Sequence, residues 1–236
     1  HEVSIENYDQ ISNSKMYNFK QLFDADVDYN IPYTNSFLFR LNDFNDYSTR
    51  DPIILYSVKY MSDNELNENK GFIIFLQENS KTNSINEPAD LFIYFFDEKN
   101  IIQESTVTRG VFRLENKQLK TEIVDQSSNN QNNSDLKAFI EEENYNNVYY
   151  HFAISQNTLS FDIFLDGLRS TINFPNFLKT QNLKIKESYI GNVPDEFKLF
   201  IDENILNMSS KLFNGNIIES EFMKKYKSPN ELCNMW

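Results

Sequence analysis

The chain has 236 residues, a net charge of −13, one cysteine and two histidines. Lone Cys233 excludes an intrachain disulfide and a thiolate zinc site, and His1 and His151 supply little for an imidazole site. The acidity excludes nucleic acid, whose phosphates need clustered Lys and Arg, and no apolar run approaches the roughly 18 residues that insert as a helix. The 21 Phe and 13 Tyr are enough for a large core without disulfides or metals. Asn is about one residue in seven, which reads as coding bias before function.

The predicted elements are mostly strands. SFLFRL (36–41) places Phe37, Phe39 and Leu41 on one face. In PIILYSVKY, Ile54, Tyr56 and Val58 alternate against Ile53, Leu55 and Ser57. GFIIFLQ (71–77) and LFIYFF (91–96) are continuous apolar runs, too short for helices and rich in Phe, Ile and Tyr. They read as central strands buried on both faces. STVTRGVFRL, KTEIV, VYYHFAIS, LKIKESYIG and FKLFIDENIL complete the expected strands. The polar stretches 63–70 and 78–90 read as linkers. The Asn-rich stretch 125–135 reads as a mobile loop, with a short helix after it at 136–143. The end reads as a helix over 216–227. Asn216 is its N-cap with Glu219 three residues on, Ile218, Phe222 and Tyr226 form a stripe, and Pro229 stops it. With no repeat and no shift in composition, 1–236 reads as one domain with a core at about 19–226.

NTLSFDIFLDGLRSTINF (157–174) poses a choice between carboxylate chemistry and a hairpin. On a strand, Asp162 and Asp166 stand about 13 Å apart. A retaining glycosidase pair needs about 5–5.5 Å. Asp166-Gly167 has the composition of a type I′ turn, so the segment reads as a hairpin. Leu159, Phe161, Ile163 and Leu165 then point one way, and Ser160, Asp162 and Phe164 the other. On this reading Asp162→Asn leaves stability nearly intact.

YYHFAISQNTLSFDIFLDGLRST resembles a segment of concanavalin A-like domains of the laminin G type. Tyr149 or Tyr150 takes the place of a Trp there, and His151–Ile154 and Ile163–Gly167 match. FKLFIDENILNMSSKLFNGNIIESEFMKKY is similar to the closing segment of that superfamily through Ile201, Asp202, Glu203, Ile205, Leu212, Ile217 and Glu221. The receptor-binding region of clostridial neurotoxins has the same jelly roll and a similar Asn- and Lys-rich texture. The resemblance implies an all-β, two-sheet antiparallel jelly-roll sandwich with a short C-terminal helix. It implies structural roles for His151, Asp166, Gly167, Asp202, Glu203 and Glu221. It also makes Asp43, Asn45 and Asp46 candidate calcium ligands; no other cofactor is expected. As adjacent strand residues, Asp202 and Glu203 face opposite sides and cannot share a cleft.

The functional expectation is a non-catalytic recognition, adhesion or assembly module, secreted or on the cell surface. It binds a protein or glycan through edge loops or a sheet face. A structural subunit of a larger, intracellular complex is the alternative. A polysaccharide-cleaving enzyme ranks last, because the alternating carboxylates of concanavalin-like glucanases are missing.

Overall fold

The computed structural model describes residues 14–41, 51–62, 65–78, 89–101, 104–115, 118–124, 149–165, 168–179 and 182–234. The strands are β1 (Ser14–Asn18), β2 (Val27–Asp28), β3 (Tyr33–Leu41), β4 (Ile53–Ser62), β5 (Glu65–Glu78), β6 (Ala89–Ile101), β7 (Glu104–Glu115), β8 (Gln118–Val124), β9 (Tyr150–Gln156), β10 (Ser160–Leu165), β11 (Leu168–Asn173), β12 (Leu183–Gly191) and β13 (Gly215–Met223). Short helices are α1 (Phe19–Phe23), α2 (Asn176–Lys179), α3 (Asp195–Phe200) and α4 (Pro229–Cys233), and α3 runs on as a π-helical stretch, Ile201–Leu206.

These strands make two antiparallel sheets. The larger runs β1-β12-β4-β5-β6-β7-β8, with β2 also on β12, and the smaller runs β11-β10-β9-β3-β13. The chain passes repeatedly between them, so β3 lies between β9 and β13 although far from both in sequence. Period-2 alternation drives the stacking. Phe37, Phe39, Phe152, Ile154, Phe161 and Ile163 of the small sheet share one core with Tyr56, Val58, Phe72, Ile74, Ile93 and Phe95 of the large one. The two runs expected to be buried on both faces are so: Ile73, Phe75 and Phe96 form a second cluster with Val193, Phe197, Ile201 and Ile205. α3 and its π-helical extension therefore cover the outer face of the large sheet.

Several expectations change. FKLFIDENIL is helical, because the outer face of the large sheet is apolar and a helical stripe of Phe197, Ile201 and Ile205 covers it. NIIESEFMKKYK is not a helix; its first part is β13, paired with β3. A bulge between Ile218 and Glu221, with Glu219 at φ 51°, puts both Ile217 and Phe222 into the core. Ile218 and Phe222, the i, i+4 pair of the expected stripe, instead fall on opposite faces of β13, Ile218 beside Leu38 and Phe222 in the core. Pro229 begins a helix rather than ending one: Ser228 and Glu231 form a reciprocal capping box and Pro229 opens α4. In β4 a register shift between Ile54 and Tyr56 breaks the alternation, so Ile53 and Tyr56 share the main core and Ile54 joins the second cluster. Most of the expected linker 63–70 is strand, as Glu65–Lys70 belong to β5.

The hairpin reading of 157–174 holds in its pairing. β10 and β11 are antiparallel with Leu165 opposite Leu168. Asp166 and Gly167 lie between them, outside the described residues. Leu159 does not point inward; it is 73% exposed. The Asn157 carboxamide oxygen accepts from Leu159 and Ser160 N–H, which turns the chain before β10 begins.

Candidate functional site

On β3, Phe37 and Phe39 point inward, so Thr34, Ser36, Leu38 and Arg40 point outward. The register continues their rows across the small sheet. Ser155, Thr34 and Met223 form one row, Ala153, Ser36 and Glu221 the next, and His151, Leu38 and Ile218 a third. This outer face has a covered half and an open half.

The C-terminal segment after β13 covers the first. Thr34 Oγ1 donates to the Lys225 carbonyl at 2.8 Å, and Ser155 Oγ donates to the Lys227 carbonyl at 2.7 Å. The Lys227 N–H donates back to these two hydroxyls at 3.0 and 2.9 Å. Leu232 of α4 packs on Ala153 and Phe164. Tyr226 reaches further: its hydroxyl donates to Asp162 Oδ2 at 2.7 Å. Asp162 is 1% exposed. Arg169 holds its Oδ1 through Nε at 3.1 Å and Nη2 at 3.0 Å, and Nη2 lies 3.1 Å from Oδ2. The Thr171 hydroxyl also donates to Oδ1. Asp162 is thus the hub of a buried network, which the alternation of its strand shows only as an outward side chain.

The open half contains Leu38, Arg40, Tyr149, His151, Ile218 and Glu221, all partly exposed. The Arg40 guanidinium carbon lies 5.4 Å from the Tyr149 ring centroid. His151 Nε2 and Ser36 Oγ are hydrogen-bonded at 2.8 Å, although 115 positions apart. Burial lowers the His151 pKa to about 4, so the ring is neutral near pH 7. No sequence motif joins Ser36 to His151; only the β3–β9 register does. Ser36 is fully buried. A nucleophile must reach its substrate and have a base that is itself oriented. Ser36 lies in register between Ala153 and Glu221, and its hydroxyl is bonded to the imidazole.

The remaining expected sites separate. Asp202 and Glu203 lie on the π-helical stretch, not on a strand. Asp202 accepts from the Ser210 N–H at 3.0 Å, from the Ser210 hydroxyl and from Lys198 Nζ. It ties the helix to the chain that follows, while Glu203 is exposed. Glu221 stands on β13 opposite Ser36. Asp43, Asn45 and Asp46 lie outside the described residues, as do 125–135 and 136–143. Among the described residues no group of three or more His, Cys, Asp or Glu is arranged to hold a metal ion. No helix among them is long and apolar enough to cross a membrane.

No protein-family model matches the sequence, and no curated protein matches it. Solved structures do align. An alginate lyase from Klebsiella pneumoniae aligns at TM-score 0.45 and 8% identity over 84% of this chain and 60% of its own. The mouse laminin α1 chain domains LG4-5 align at TM-score 0.38 and 7% identity, over 93% and 42%. The binding domain of botulinum neurotoxin serotype G aligns at TM-score 0.42 and 9% identity, over 88% and 36%. The chain spans less than two thirds of each. The architecture itself is an all-β sandwich of two antiparallel sheets, with a chain that alternates between them. Enzymes and binding domains both occur among the aligned structures.

Proposed function

We propose that the chain is a non-catalytic recognition module of a secreted or cell-surface protein, and that it binds a protein or glycan on the open half of the small sheet. One observation carries this reading. Leu38, Arg40, Tyr149, His151, Ile218 and Glu221 stay partly exposed on adjacent strands, while the other half of the same face is capped by the chain's own C-terminal segment. A floor of hydrogen-bonded strands places side chains more rigidly than a loop does. The mixture of a stacked cation, a neutral imidazole, a carboxylate and two aliphatic side chains suits a few oriented polar contacts around an apolar centre.

Leu38→Glu tests the reading. Leu38 points outward at the centre of the open half, so the variant retains its fold by circular dichroism. It loses partner capture from native cells and signal on a glycan array. Exchanging the polar stretches 42–50 and 79–88 leaves capture intact. Capture that survives Leu38→Glu but disappears with these exchanges overturns the sheet-face reading.

A further inference from the structure

We propose that Arg40 captures a single carboxylate carried by a sugar of an otherwise neutral glycan. This rests on the sheet-face reading above and narrows it to a ligand class. Arg40 lies over the Tyr149 ring, its guanidinium carbon 5.4 Å from the centroid. Its Nε is buried, and no hydrogen-bond partner meets it among the described residues. A guanidinium presents its N–H groups as a planar fork that matches both oxygens of a carboxylate.

The surroundings set the rest of the ligand. Arg40 pairs with Asn216 on β13, and Leu38 with Ile218 and His151. Glu221 stands opposite Ser36, four positions along β3 from Arg40, which is about 13 Å. One end of the open half therefore offers a cation, the other a carboxylate, and the middle Leu38 and Ile218. That length fits two sugar rings: an acid group at Arg40, C–H faces on the aliphatic pair, and hydroxyls donating to Glu221. Asn216, beside Arg40, offers further bonds to hydroxyls. An extended peptide is a poorer fit, because it draws its main-chain hydrogen bonds from a sheet edge, and here β3 is paired on both sides. A polymer with an acid on every ring is also a poorer fit, because a chain of net charge −13 repels it.

The test is an array of glycans in pairs that differ only by oxidation of one terminal C6 to the carboxylate. The expected result is binding about tenfold tighter to the acid member of at least one pair. R40M, which keeps the aliphatic stem, removes that preference, and R40K keeps only part of it. Equal binding to both members, binding to no acid glycan, or an unchanged preference in R40M overturns the proposal. So does Arg40-dependent binding to a Glu-containing peptide in place of the glycans. If Leu38→Glu abolishes capture while R40M changes nothing, the face binds a ligand and only its acid is wrong. If neither variant matters, the sheet-face reading fails with it.

Discussion

Removing the Asp162 carboxylate tests whether the C-terminal cap is held by this buried hub. Asp162 is 1% exposed and accepts from Arg169, Thr171 and Tyr226. Breaking a buried charged pair by deleting one partner costs about 3–5 kcal/mol. The Arg169 side chain is 45% exposed, so water takes up much of its stranded charge. Discounting for that, Asp162→Ala loses about 2–3 kcal/mol. Asp162→Asn keeps the size and one acceptor and loses about 1–2 kcal/mol, the scale of a hydrogen bond to a charged group. Both values reverse the expectation, drawn from strand alternation alone, that this position tolerates change. The assay is urea unfolding at pH 7. With a slope of about 1–3 kcal/mol per molar, the midpoint for Asp162→Ala falls by roughly 1 M while the slope stays constant. Tyr226→Phe completes a cycle: if Asp162 and Tyr226 act through their shared bond, the double variant loses less than the sum, with a coupling of about 0.5–3 kcal/mol. An Asp162→Ala variant within about 0.5 kcal/mol of the parent, the range of ordinary surface changes, refutes the hub.

Leu232→Ala, at the contact of α4 with Ala153 and Phe164, costs about 2 kcal/mol, the low end for a buried leucine because the cluster is small; limited proteolysis after Met223 then becomes faster. His151 titrates near pH 4, below its ordinary 6.5, because burial disfavours the imidazolium. Between those values the unfolded chain holds more protons than the folded one, so stability is complete above about pH 6.5 and declines as pH falls toward 4. The ring proton shifts of His151 give the midpoint, and a value of 6 or above contradicts the burial. Gly71→Ala is expected to destabilise by about 1–3 kcal/mol or to prevent folding, since an added Cβ would lie 1.9 Å from the Val58 carbonyl oxygen across the β4–β5 pair. An unchanged melting temperature there would show that the two strands are not so closely apposed.

The sequence by itself determined the strands whose information is local. Continuous Phe- and Ile-rich runs became β5 and β6, alternating runs became β3, β9 and β10, and the spacing around Asp166 and Gly167 set the β10–β11 pairing. It also carried the fold class, through alternation and the order of short motifs. It did not decide the two segments near the end, 197–206 and 215–223, because their apolar spacing suits a strand or a helix alike. Tertiary packing decided them. The exposed apolar face of the large sheet selected a helix for Phe197, Ile201 and Ile205, and the free edge of β3 selected a strand for β13, with a bulge to restore its register. The site is tertiary in the same sense. Ser36 and His151, Arg40 and Tyr149, and Asp162 and Tyr226 are distant in the chain and meet only because β3 lies beside β9 and the last residues fold back over the sheet. A single strand shows which side chains point outward. Only the arrangement of its neighbours shows which of them are buried again by the chain's own end, and which stay partly exposed.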